Sequence, residues 1–414
     1  MATLTAPYVP AMRLGQGFNS FTQELRIYDA VTNTRSSKTS VHPQQFAYLT
    51  SAEDMFVNAD RTVSYYAKLV NRISQVTDLL NVSAPQQIKS NVTSGVGASR
   101  LVIDFSKFYG SDINFLIHVS VANRHLTAPN LTEFSPIEGT LPSDFARVYG
   151  DTFISGFTEG GEFSALVSIK LDDKSIDVSG QLKALFDFGS DSVDGQEKAK
   201  SVEGETTISV SWVGGGDISS TDADDWTLEK LKAVALKFPQ HAMACPARTS
   251  AILTKYTSLR SVQVAAIKTG SPLDYSNTTL YSSALLDAYM EYKTMLQMIS
   301  HSMDEYNKQS AMDDTISATS DDDCVSTLSS FSVIVGATAR KREPPARPNE
   351  LVPYSADIIG LDAARWDCQL ELAKIVKEVE AVAADPNVAA DADRRWAYLS
   401  PAIFRLLLPV RTPV

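Results

Sequence analysis

Residues 149–163 read YGDTFISGFTEGGEF and run on into SALVSIKL, so one strand-like alternation carries Gly156 and the pair Gly160-Gly161 in its interior. Glycine inside a strand adds unfolded-state entropy and packs nothing, so it weakens the strand. Strands keep it where they bend, bulge or let another backbone come close. A chain with these three glycines is therefore constrained to build a long strand with a kinked or crowded middle. The bland reading is a bulge that the fold requires; the sharper one is a bend that opens.

The surroundings are also β in pattern. INFLIHVSVANRH sets Ile113, Phe115, Ile117, Val119 and Val121 in alternation, and EFSALVSIKL does the same with Phe163, Ala165, Val167, Ile169 and Leu171. TTISVSW adds Ile208, Val210 and Trp212 before stopping at Gly214, Gly215 and Gly216. Period two over several positions marks half-buried strands. The stretch from about 81 to 217 thus reads mostly as β, with a further strand near 81–87. Before it comes a proline-bearing arm, FTQELRIYDAV as a short helix or strand, and residues 60–80, whose apolar spacing is helical. After 217 the chain turns helical, over 224–236, 282–312 and 358–384, with a short apolar segment, PAIFRLLLPV, that docks onto the body. Acidic 313–323 and basic, proline-rich 339–348 read as a loop and a linker.

Two stretches break the β pattern. In DKSIDVSGQLKALFDFGSDS, period two puts Ile176, Val178, Gly180, Leu182, Ala184, Phe186 and Phe188 on one face. Period 3.6 makes an equally good stripe of Val178, Leu182, Leu185 and Phe186. The segment suits an ordinary surface helix or strand, and equally a helix that refolds into a strand with one apolar face, as a membrane barrel demands. Residues from about 88 to 112 form a first such stretch, and those from about 172 to 204 a second. Each exceeds the roughly 20 residues that two membrane-crossing strands of about 9–11 require. In the first, Val92 and Val96 share one parity while Leu101, Ile103 and Phe105 share the other, so a turn or slip near Ser99-Arg100 is needed.

Composition and motifs exclude several functions. The net charge is −12 and the basic residues do not cluster beyond Arg340-Lys341-Arg342, which argues against nucleic acid as a partner. Cys245, Cys324 and Cys368 form no CxxC pair, so neither a disulfide framework nor a structural zinc site is indicated. No metal and no cofactor are expected. His42, His118, His125, His241 and His301 fall in no metal-ligand spacing, and there is no nucleophile elbow and no phosphate loop, so no enzyme is expected. The carboxylates of 321–323 read as a solvated loop rather than a calcium site. The N-terminus has no signal-peptide pattern and no run is long enough to span a membrane as a helix, which predicts a soluble chain, cytoplasmic or unconventionally secreted.

Tyr149-Gly150-x-x-Phe153, six residues, then Gly160-Gly161 resembles the signature of the membrane attack complex/perforin (MACPF) family, and NVSAPQQIKSNV…SDINFLIHVSVANR is similar to fungal members in particular. The chain departs from that signature in carrying Asp151-Thr152 where the family has Thr-His. The resemblance covers roughly residues 20–260. It implies an α+β fold: a bent, twisted four-stranded antiparallel central sheet flanked by two helical clusters, with Gly156, Gly160 and Gly161 at the sheet bend. It divides the chain into a MACPF-like domain over 1–260 and a mainly helical C-terminal region over 261–414. It also implies a pore-forming protein that attaches to membrane lipid or a membrane receptor. There it assembles as a homo-oligomeric ring or arc and inserts two amphipathic hairpins per subunit into a large β-barrel. A second attachment protein is a candidate partner. The alternative is a non-lytic protein of the same fold that acts in binding, development, defence or adhesion.

Overall fold

The computed structural model describes residues 4–33, 56–58, 61–93, 104–172, 177–188, 204–216, 218, 226–317, 351–392, 394 and 397–409. The strands are β1 (Leu4–Pro7), β2 (Gly17–Asn19), β3 (Glu24–Leu25), β4 (Val31–Asn33), β5 (Phe56–Asn58), β6 (Thr62–Leu69), β7 (Ile113–Thr127), β8 (Leu131–Phe134), β9 (Thr152–Leu171), β10 (Gly204–Val213) and β11 (Ala247–Lys255). The helices are α1 (Ile73–Leu79), α2 (Ala84–Thr93), α3 (Phe105–Gly110), α4 (Phe145–Val148), α5 (Val178–Leu185), α6 (Leu228–Ala244), α7 (Arg260–Thr269), α8 (Thr279–Ser317), α9 (Ile358–Ala384) and α10 (Pro401–Leu407). Contacts group the chain into one unit of Met1–Asp287 with Ala381–Ala390, and another of Ala288–Glu380 with Asp391–Val414.

The first unit is built on a sheet that has nine strands among the described residues, not four as expected; every strand pairing in it is antiparallel. Four of them, β6, β7, β9 and β10, lie side by side in one part of it. The strand count was hard to read because β2, β3 and β5 are too short to show a period. Two expectations near the start fail for local reasons. Residues 60–80 are not one helix, because β-branched and aromatic Val63, Tyr65 and Tyr66 favour the strand Thr62–Leu69, and a helix begins only at Ile73. Nor is 81–87 a strand. Ser83 accepts a hydrogen bond from the Gln86 amide, and Pro85 sits in the first turn, so Ser83-Ala84-Pro85-Gln86 starts α2.

Burial along β9 is nearly continuous, as in a strand covered on both faces. On one face Phe115, Ile117, Val119 and Val121 of β7 join Phe163, Ala165, Val167 and Ile169 of β9. Leu231, Ala235, Phe238 and Ala242 of α6, with Val178 and Leu182 of α5 and Phe186 just after it, cover them. Each such Leu, Val or Phe stabilises by roughly 1.5–3 kcal/mol. The opposite face mixes Leu116 and Leu166 with paired polar groups: Ser168 donates to Asn114 (2.6 Å), and His118 Nδ1 meets Ser164 Oγ at 2.9 Å.

The second unit is helical. Tyr292 of α8, buried by Phe404 of α10, donates to the Leu399 carbonyl at 2.7 Å and accepts the Cys368 thiol on its own carbonyl at 3.3 Å. Burial pushes that thiol up to about 12. The buried carboxylates are compensated: Glu371 takes the Leu399 amide and Lys374, and Glu378 takes Arg394.

The glycine pair is hemmed in from both sides. A Cβ at Gly160 would collide with the Val121 carbonyl oxygen, and one at Gly161 would lie 2.5 Å from the Ala242 Cβ and 2.9 Å from the Phe238 ring. Replacing either by alanine is expected to destabilise by about 1–3 kcal/mol in denaturant unfolding. Ala242→Gly should recover part of the Gly161→Ala loss and none of the Gly160→Ala loss; no coupling at Gly161 would show that α6 does not press on it.

Candidate functional site

The glycine pair marks a change of partners. On one edge of β9, β11 pairs with residues 152–160 and β10 with residues 162–171. On the other edge β7 runs past both halves, but its own outer neighbour changes from β6, ending opposite Ala122, to β5, starting opposite His125. Between Thr158 and Glu162 of β9, therefore, both outer strands are exchanged and only β7 and β9 continue. At the same level β7 carries a bulge between Ala122 and Arg124. Bulges kink a strand and increase its twist. Gly160 admits the bulged backbone, Gly161 admits α6, and the chain leaves β10 through Gly214, Gly215 and Gly216, all at positive φ. Gly156 lies further up β9, paired with Ile252 and Thr127.

One carboxylate crosses this junction. Glu159, only 14% exposed, accepts from Arg124 of β7 at 2.5 Å and pairs with Arg248 of β11 at 3.5 Å. The Arg248 guanidinium also lies 4.6 Å from the centre of the Phe157 ring. Three strands are thereby tied at a level where two run through. Sequence alone gave no sign of this cluster, since its members are 35 and 89 residues apart.

Tyr149, Gly150 and Phe153 lie where β9 begins. Tyr149 and Phe153 pack with Phe134, Phe145 and Tyr256 in an aromatic cluster. The Tyr149 hydroxyl accepts the Ile137 amide (2.7 Å), and its carbonyl accepts the Tyr256 hydroxyl (3.1 Å). Gly150, at φ +81°, sits where a Cβ would collide with the Phe18 carbonyl. Asp151 holds the N-terminal arm, taking the amide and hydroxyl of Ser20 at 2.6 Å each. Burial pushes its carboxyl above the ordinary value, and the Ser20 bonds oppose that rise.

Two segments leave the same end of the sheet. Leu69 of β6 pairs with Phe115 near the start of β7, and Leu171 of β9 pairs with Gly204 at the start of β10, while Ile113 pairs with Ile169. Residues 70–112 and 172–203 thus each join antiparallel neighbours, at one end of the run β6-β7-β9-β10. The first segment begins at residue 70, well before the 88 expected, because 81–87 is not a strand. It holds α1, α2 and α3; the second holds α5.

In the second segment Asp177 caps α5 by accepting the Gly180 amide at 2.9 Å. Val178, Leu182 and Phe186 face the sheet, whereas Ala184 is exposed and Phe188 is half-buried against Tyr65, ring centres 4.8 Å apart. Period 3.6 governs the segment here. Ile176 lies outside the described residues, as do Val96, Leu101 and Ile103; Val92 is in α2 and Phe105 opens α3. The first segment packs through buried Ile73, Val76, Ile88 and Phe108, and at its surface Lys89 of α2 pairs with Glu24 and Lys107 of α3 with Glu205 of β10. Residues 321–323, 339–348, His42 and Cys324 also lie outside the described residues.

Among the described residues no cluster of His, Cys, Asp or Glu could hold a metal ion. His118 and His125 bond hydroxyls on the neighbouring strand, and no described helix is long and apolar enough to cross a membrane.

Removing the Glu159 carboxylate leaves two cations facing each other across β9. Glu159→Ala is expected to destabilise by about 1–3 kcal/mol, and a double-mutant cycle with Arg124→Ala should show positive coupling that weakens in high salt. Full additivity would mean that the ion pair contributes nothing at the junction.

No protein-family model matches the chain, and no curated protein matches it. Several solved structures, toxins among them, are partly similar. Stonustoxin is 9% identical over 94% of this chain and 44% of its own, with a TM-score of 0.40. The cytotoxin suilysin from Streptococcus suis is 13% identical over 49% and 42%, with a TM-score of 0.33. GNIP1Aa from Chromobacterium piscinae is 12% identical over 60% and 52%, with a TM-score of 0.32. The chain thus spans about half the length of these proteins. Scores this low describe a partial likeness of chain trace and identify neither a family nor an activity.

Proposed function

We propose that this chain is a pore-forming protein that assembles on a target membrane and inserts two β-hairpins per subunit. The observation that carries the reading is the placement of residues 70–112 and 172–203. Each joins adjacent antiparallel strands at the same end of the sheet, so each pair can lengthen without a change of register.

The physical requirements run in order. A hairpin in lipid leaves its edge amides and carbonyls unpaired, so insertion needs neighbouring subunits to close a barrel first. β6 and β10 are the outer strands of the four-strand run and, among the described residues, pair with no further strand, which suits edge-to-edge assembly into a ring or arc. Burial of apolar area, at roughly 25 cal/mol per Å², then drives refolding. In the second hairpin the helix stripe Val178, Leu182 and Phe186 belongs to one strand face with Ala184 and Phe188, because residues of even number stay together at period two. The Gly160-Gly161 junction is the hinge about which the lower sheet turns as α5 departs. Membrane lipid, or a receptor in it, is the partner; the helical C-terminal part serves attachment or packing.

The test is release of a trapped dye from vesicles of total cell lipid, with the pelleted vesicles viewed by negative-stain microscopy. Rings or arcs with release are expected. Val178→Asp and Phe186→Asp should abolish release while binding persists, since a charge on the lipid face is destabilising, by about 2–4 kcal/mol for Arg or Lys at the bilayer midplane and by less for Asp. Because both side chains are also buried in the folded chain, each variant is checked by circular dichroism first. A folded Val178→Asp protein with undiminished release would refute the hairpin assignment. Binding without release by the unaltered chain would favour an adhesion role.

A further inference from the structure

The helix α1 opens the first inter-strand segment, and its own sequence does not cap it. Arg72, at the N-cap, makes no side-chain cap bond, and the first turn carries no acidic residue. The unpaired amides at a helix start need an acceptor. They find it 213 residues away: the Asp287 carboxylate of α8 accepts the Ser74 amide at 3.1 Å and the Ser74 hydroxyl at 2.9 Å. Ser74 is 6% exposed, so water is a poor substitute for these bonds. The other end of α1 works against the contact. Burial first, and the Asp287 charge second, push the Asp78 carboxyl above its ordinary value, so two carboxylates converge on this short helix.

We infer that Asp287 is a latch: a tertiary N-cap, supplied by α8, that keeps α1 and with it residues 70–93 folded against the body. The contact is strong only while α8 presents the carboxylate to Ser74, so displacement of this part of α8 releases the segment. Both segments bury apolar side chains, but the second carries its own cap, Asp177. Only the first segment therefore depends on a distant element for the cap of its opening helix. That α1 is latched does not depend on membrane insertion; that the latch gates insertion rests on the proposed function.

The experiment is amide hydrogen exchange of the full chain, followed by mass spectrometry, alongside dye release. Asp287→Ala is expected to speed exchange across residues 70–93 by about tenfold, as loss of an N-cap implies, with β9 unchanged. Ser74→Ala, which removes the hydroxyl bond and keeps the amide bond, should give a smaller change in the same place. Unaltered exchange in residues 70–93, or equal acceleration throughout the chain, would overturn the latch. If the unaltered chain releases dye, Asp287→Ala should shorten the half-time several-fold; an unchanged half-time overturns the gating role. Faster exchange in a chain that never releases dye keeps the latch and removes the insertion reading.

Discussion

Everything in the sheet depends on the hydrogen-bonded ladder between β7 and β9. It is the one pairing that continues past Gly160-Gly161, while the outer neighbours β6 and β10 give way to β5 and β11. Backbone bonds cannot be shared between two partners on one edge, so an exchange of partners leaves a level with fewer strands abreast. The structure fills that level with compensation: the bulge of β7, the α6 side chains Phe238 and Ala242 against Gly161, and Glu159 between two arginines. The glycines are thus needed twice over, for the close approach and for the helix that lies on it.

The two inter-strand segments share apolar packing and differ in their polar contacts. The α5 helix sits on the same apolar face as α6, and the ring of Phe186 lies 5.7 Å from that of Phe115. The first segment buries Ile73, Val76, Ile88 and Phe108 and adds polar contacts with distant elements: Asp287, Glu24 and Glu205. The Lys107–Glu205 pair is exposed on both sides and adds little, as exposed pairs do. Asp287 is the exception because its acceptor oxygens meet a buried serine.

The long strands were legible because Ile113 to Val121 and Phe163 to Leu171 alternate strictly and end in clear breaks. The helix at 358–384 was legible to the residue, since a proline-rich stretch and a sustained 3.6 period bound it. The start of the first segment was misread for a reason visible in hindsight. Leu69, Val70 and Ile73 fit a helical stripe that continues into α1, and this masked the strand ending at Leu69. Ser83-Ala84-Pro85-Gln86 was a sequence-level start signal for α2. At the junction, Gly160 and Gly161 stood out in the sequence, but their neighbours did not: Val121, Ala242, Arg124 and Arg248 are brought there by folding alone. Nor does any local pattern link Ser74 to Asp287.

The exchange of partners along β9 has a mechanical consequence. A sheet resists bending in proportion to the ladders that cross a given level, and between Thr158 and Glu162 the outer ladders change over on both sides. A bulge, a helix contact and an ion pair brace the sheet at that level, so a load along it falls on those few contacts. A substitution that removes one of these contacts should therefore cost stability at a level where fewer neighbouring ladders are abreast to compensate.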